Sequence, residues 1–104
     1  MTTEVYEVAK ANTKYEVSNF GNVRKINYNP RNLILKPILL KDSKLYKVNL
    51  DIDEGTKSRN RKFKSHLIHR LVAENFMNNF DSKKNVHHKD QNNANNHIEN
   101  LYQK

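Results

Sequence analysis

Along residues 45–53, LYKVNLDID, apolar and polar positions alternate: Tyr46, Val48, Leu50 and Ile52 against Lys47, Asn49, Asp51 and Asp53. A period of two predicts a strand with one buried face. From His66 the period changes. Ile68, Leu71, Val72 and Phe76 recur at spacings of three and four, and Ala73 among them favours helix, so a helix of about ten residues is predicted. Upstream, in KYEVSNFGNVRKI, two short apolar segments, Tyr15 to Val17 and Val23 to Ile26, flank Ser18, Asn19 and Gly21, which suit a turn. They read as a hairpin. LILKPILL is apolar but broken by Pro37, which has no N–H to donate and suits an edge strand or an irregular crossing.

After the helix comes the polar MNNFDSKKN, then VHHKDQNNANNHIENL. Val86 is expected to open a short strand and the polar run to form a loop. Asn96, with Glu99 three residues on, has the form of a helix-capping pair, so a last helix is expected with Ile98, Leu101 and Tyr102 facing the core. There is no internal repeat and no linker, so the 104 residues are read as one unit.

A hydrophobic content of 36% is low for a globular domain, and a chain this short buries a thin core. No cysteine is present, which removes disulfides, thiolate zinc sites and cysteine nucleophiles and fits an intracellular protein. No apolar run approaches the roughly twenty residues of a membrane span. The start, MTTEVYEVAK, lacks the regions of a signal peptide. A soluble, unexported protein is expected.

Nineteen Lys and Arg against eleven Asp and Glu give a net charge of +8 and a pI near 9.8. That balance favours a polyanionic partner, and nucleic acid over membrane, since no basic amphipathic helix stands out. An AT-rich genome would supply the same excess of Asn, Lys and Ile, which weakens the argument. The cations concentrate in EGTKSRNRKFKSH, where Lys57, Arg59, Arg61, Lys62 and Lys64 follow the turn at Gly55 with Phe63 among them. This is either a solvated hairpin tip or a finger that tracks phosphates. Arg24 and Lys25 are further candidates for phosphate contact, with a solvated face as the alternative.

The histidine cluster decides what such charge would serve. By itself a polar, asparagine-rich run is a surface loop. Yet strand, loop with paired histidines and capped helix together resemble the HNH homing endonucleases, whose nuclease core is a beta-beta-alpha metal fold. YEVSNFGNVRKI is similar to the tyrosine, serine-asparagine and glycine-x-valine-arginine pattern of the small DNA-associated module that precedes many HNH cores. HRLVAENF resembles the helix just before the core, and VHHKDQNNANNHIENL its central signature. The three occur in the family's order and cover most of the chain from Tyr15 to Leu101.

The resemblance implies an α+β fold: small antiparallel hairpins and a helix, then a truncated beta-beta-alpha core. It implies a β-rich, DNA-contacting module over 1–64, and helix plus core over 65–104. His87 matches the first metal-ligand position, His88 the general base that activates water, and Asn100 the central asparagine that holds the loop and orients the base. An imidazole accepts a proton at neutral pH far better than an ordinary carboxylate. A divalent ion held by His87 would stabilise the leaving 3′ oxygen. Nitrogen and oxygen ligation admits magnesium, manganese, zinc or nickel. The family's second ligand, a histidine or asparagine, lies on a final helix beyond the central asparagine, and this sequence ends at Lys104. That ligand is therefore expected to be missing, which keeps open a second reading: a nuclease-derived DNA-binding protein.

His97 precedes Asn100 at a position the family fills with arginine or another polar residue, and is expected to be exposed or to touch phosphate. His69, opening HRLVAENF, is expected to be structural or to bind phosphate, and Arg70 beside it to bind nucleic acid. Asp90 is expected to bond its own backbone in a turn. Tyr15 and Phe20 are expected in the core of the first hairpin. An EF-hand starting at Asp90 fails, with Ala94, Asn95 and Leu101 at its fifth, sixth and twelfth positions. Two distant glycines build no phosphate loop, and no serine-hydrolase elbow occurs. The expected partner is double-stranded DNA, with a homodimer left open.

Overall fold

In a computed structural model, residues 3–26, 34–52 and 62–104 are described. The cationic turn at Lys57, Arg59 and Arg61 lies outside them. The first sheet is β1 (Tyr6–Val8), β2 (Tyr15–Ser18) and β3 (Val23–Lys25), antiparallel in that order. β2 and β3 are the expected hairpin, with Val17 opposite Val23.

Its turn follows from the side chains. The Ser18 hydroxyl accepts from the N–H groups of Phe20 and Asn22, each at 3.1 Å, and donates to Glu4 Oε2 at 2.8 Å. The Asn19 amide accepts from the Val5 N–H at 2.8 Å and donates to the Thr3 carbonyl at 3.0 Å, which ties the approach to β1 onto the turn. Gly21 stands at φ +94°, a conformation that penalises any side chain.

The second sheet is β4 (Ile38–Leu39), β5 (Tyr46–Asp51) and β6 (Phe63–Leu67), also antiparallel in order. Pro37 immediately precedes the two-residue edge strand β4, where its missing donor costs no ladder bond. β5 is the strand its alternation predicted, with Val48 and Leu50 buried, but its last expected inward residue departs from that pattern. Ile52 is 47% exposed while Asp51 is 4% exposed. The first sheet is the cause. The Tyr15 hydroxyl accepts from the Asp51 N–H at 3.0 Å, Asn12 Nδ2 donates to the Asp51 carbonyl at 3.0 Å, and Lys25 Nζ lies 3.7 Å from the Asp51 carboxylate. These contacts close over Asp51 and bury it.

β6 passes without a loop into α1 (Ile68–Phe76), so the helix begins two residues later than its periodicity suggests. Leu67 serves as the last strand residue and as the helix cap, with no side-chain hydrogen bond at that end. Packing holds the helix instead: Ile68, Leu71, Val72 and Ala73 join Tyr15, Val17, Val23, Val48, Leu50, Val86 and Leu101 in one core. Each large aliphatic among these contributes roughly 1.5–3 kcal/mol by its burial. The 64/65 division expected from the family falls inside β6, and the core draws residues from both sides of it.

The last segment departs most from expectation. β7 (Val86–His88) is present, but no helix follows the polar loop. Ile98–Asn100 forms a single 3-10 turn, and Leu101–Gln103 forms a strand, β8, antiparallel to β7 with Leu101 opposite His88. Pairing with β7 gives the backbone of residues 101–103 the partners a helix would otherwise supply. Leu101 reaches the core as expected and Ile98 packs against it, whereas Tyr102 is 38% exposed. His97, not Asn96, caps the turn, its Nδ1 accepting from the Glu99 N–H at 3.1 Å. The α+β architecture of small antiparallel sheets and one helix is as the sequence predicted.

Candidate active site

The pleat of β7 separates the paired histidines. Val86 and His88 turn inward and His87 turns outward, as alternation in a strand requires. His88 is 8% exposed. Its ring lies 5.1 Å from that of His69 on α1, and that of His87 lies 5.2 Å from Tyr102 on β8. These residues border a cleft of about 520 Å³, together with Leu45, Leu67, Arg70, Asn85, Gln91 and Asn93.

His88 Nε2 lies 2.8 Å from Asn96 Oδ1. A carbonyl oxygen only accepts, so in this contact Nε2 is the donor, the role it has in the Nε2–H tautomer. Asn96 is 7% exposed, and its commitment to His88 is why it does not cap the following turn. The residue touching the histidine is therefore Asn96. Asn100, expected to hold the loop and to orient the base, bonds to the loop. Its Nδ2 donates to Asp90 Oδ1 and to the Asn95 carbonyl, each at 2.9 Å, and its Oδ1 accepts from the Asp90 N–H at 3.2 Å. Asp90 Oδ1 also accepts from the Asn92 N–H at 2.8 Å, the expected turn, and Oδ2 accepts from Asn95 Nδ2 at 2.9 Å. Hydrogen bonds from Asn95, Asn92 and Asn100 hold this carboxylate below its ordinary pKa. The loop between β7 and β8 is thus built around one exposed carboxylate.

His69 is 5% exposed. Burial, and after it the neighbouring His88, Arg70 and His87, push its pKa down to about 4, so it is neutral at pH 7. Arg70 donates from Nη1 to the Lys84 carbonyl and from Nη2 to the Ser82 carbonyl, both at 3.1 Å, and so fixes the segment that leads into β7.

The other candidates lie apart from the cleft or at its margin. Arg24 pairs with Glu16 at 2.9 Å and stacks 3.6 Å over the Tyr6 ring, and Lys25 pairs with Asp51. Lys62 and Lys64 are exposed beside and on β6. The other face of that sheet holds a chain of bonds that sequence reading missed. Lys47 Nζ donates to Ser65 Oγ at 3.0 Å, and Ser65 Oγ donates to Asn49 Oδ1 at 2.8 Å. Asn49 pairs with Ser65, and Lys47 pairs with Leu67, which borders the cleft.

Among the described residues no three His, Asp or Glu side chains gather where one ion could hold them. The cleft offers the His87 imidazole with the amides of Asn85, Gln91 and Asn93 and no carboxylate. Such a set suits an ion shared with phosphate oxygens and water, rather than one caged by protein.

An inward histidine held by an asparagine, an adjacent outward histidine and a helix packed behind their hairpin make up the site, and the fold that carries it is that of an HNH endonuclease. A solved structure of DNA binding and cleavage by the HNH homing endonuclease I-HmuI is similar to this chain, with a TM-score of 0.76 and 30% sequence identity. The similarity covers 96% of this chain and 52% of that enzyme, so the chain spans about half its length. No family model matches the chain, and no curated protein matches it. No helix among the described residues is long and apolar enough to cross a membrane.

Proposed function

We propose that this chain is the DNA-cleaving part of an HNH homing-type endonuclease, hydrolysing phosphodiester bonds of duplex DNA with His88 as general base. The observation that carries this reading is the 2.8 Å contact between His88 Nε2 and Asn96 Oδ1, which leaves Nδ1 as the basic nitrogen of a histidine bordering the cleft. Nδ1 takes a proton from water as the water oxygen attacks phosphorus. The P–O3′ bond breaks, leaving a 5′ phosphate, and the 3′ oxygen is protonated from solvent. Arg70 and the neutral His69 form the wall against which the phosphate is placed. His87 would hold a divalent ion, magnesium, manganese or zinc, whose charge stabilises the departing oxygen when DNA is bound.

DNA would lie across the cleft and onto the second sheet, where Leu67, Lys47, Ser65 and Asn49 continue away from the histidines. Lys62 and Lys64, at the exposed end of β6, and Lys57, Arg59 and Arg61 before them in sequence, would contact phosphates and set the salt dependence of binding. Arg24 and Lys25 would reach DNA only by exchanging their carboxylate partners.

That the described residues alone do not gather three metal donors favours a second reading, a DNA-binding protein without cleavage. Nicking of supercoiled plasmid, with magnesium, manganese, zinc or no metal, decides between them. The first reading expects metal-dependent nicking that His88→Ala abolishes while DNA affinity is retained. Binding with no nicking under any metal would refute it and leave the second.

A further inference from the structure

The loop carrying Asn96 is held from two sides. Asp90 anchors residues 92, 95 and 100 from within the loop. Residues 96–98 lie between those anchors and are met by the β2–β3 turn of the first sheet. Three consecutive residues of the turn face three of the loop in opposite order. The Asn19 carbonyl accepts from the Ile98 N–H at 2.8 Å. Phe20 stacks on His97 with ring centroids 4.7 Å apart. Gly21 approaches so closely that a Cβ there would sit 2.8 Å from Asn96 Cβ and 3.2 Å from Asn96 O. Two unbonded carbons prefer about 3.5–4.0 Å, so a side chain at position 21 would displace Asn96.

We infer that the Asn19–Gly21 turn is a positioning element for the reaction: it seats Asn96 and thereby fixes which ring nitrogen of His88 carries the proton. The inference rests on His88 being the base, and it gives the amino-terminal module a task beyond contacting DNA. The turn touches neither the cleft nor any reacting atom. It acts through one buried amide, whose oxygen reaches His88 while its backbone rests on Gly21. Ser18 and Asn19 tie the turn to the segment before β1 through Glu4 and Val5, which gives it support of its own.

The test uses the full chain without metal, reading the His88 ring by two-bond nitrogen–proton NMR correlations, and beside it the nicking rate and DNA affinity. The wild-type protein is expected to show His88 as the single Nε2–H tautomer, and Asn96→Ala a mixture. Gly21→Ala is expected to give the same mixture and to slow nicking by about tenfold or more at unchanged DNA affinity, the scale on which the orienting partners of a site histidine act. Should Gly21→Ala not fold, Phe20→Ala keeps the glycine and removes the stack on His97, and it is expected to shift the tautomer in the same direction. Asn96→Asp keeps an oxygen acceptor and is expected to retain the Nε2–H tautomer.

Folded Gly21→Ala or Phe20→Ala protein with the wild-type tautomer and rate would overturn the inference, as would Asn96→Ala with an unchanged His88. If the variants shift the tautomer but wild-type protein nicks nothing, the support of Asn96 stands and the nuclease reading fails.

Discussion

Acidification should destabilise this protein through His69, by an amount the structure bounds. The ring is 5% exposed beside two other histidines and an arginine, and its pKa falls from 6.5 to about 4. Between those values the unfolded chain binds a proton that the folded chain refuses, so stability is fully present above pH 6.5 and is lost as pH falls towards 4. At about 1.36 kcal/mol per unit, the whole window is worth about 3 kcal/mol. That is a large fraction of the 5–15 kcal/mol typical of a domain. His66 shifts in the same direction, through burial and then Lys64, with Glu74 opposing, so wild-type behaviour alone does not isolate the effect. Comparison with His69→Asn does. Urea unfolding of both proteins at pH 7.5, 6.0, 5.0 and 4.5, without divalent metal, should show the wild type losing stability relative to the variant as pH falls. A difference between the two that stays constant across this range would refute the burial argument for His69.

Two further outcomes follow from the charges and donors on the surface. Alanine at Lys62 and Lys64 should weaken binding to all duplexes alike and flatten the dependence of log affinity on log salt by about 0.9 for each phosphate that a lysine no longer neutralises; a change confined to one DNA sequence would place these lysines on bases instead. Removing divalent ions with a chelator should leave the melting temperature of the DNA-free protein unchanged, because no protein cage among the described residues links metal binding to folding. A fall of several degrees would mean that an ion is held tightly before DNA arrives.

What the sequence revealed of this fold depended on whether a segment's partners were near in the chain. β5, the β2–β3 hairpin and α1 were legible because their burial is periodic and each packs one face on the same core. The final segment was not. Asn96 followed by Glu99 looks like a cap when only neighbours are considered, but the amide is taken by His88 and the next residues pair with β7. Tyr102 resembled a core residue and instead flanks His87. In the site, the paired histidines and Asn100 stood out by type and spacing. Asn96 was hidden in a run of asparagines whose members differ only in what they touch. Phe20 read as ordinary filling for its hairpin, and nothing local in the letters says that it covers His97. The Lys47–Ser65–Asn49 chain was equally silent, since it exists only once β5 and β6 are in register.

The direct passage of β6 into α1 couples two geometries that most proteins keep apart. A connecting loop normally absorbs insertions and errors, letting a strand slide or a helix turn without disturbing its neighbour. Here Leu67 belongs to both elements, so the pairing of Ser65 with Asn49 and the direction in which His69 points are one variable. Shifting β6 by one residue would exchange the faces of its sheet and rotate the helix by about 100° about its axis. The ring behind His88 and the polar face beyond the cleft would disappear together. Length changes at residues 65–68 therefore disturb sheet and helix at once, and the register of one sheet doubles as the alignment of the histidines.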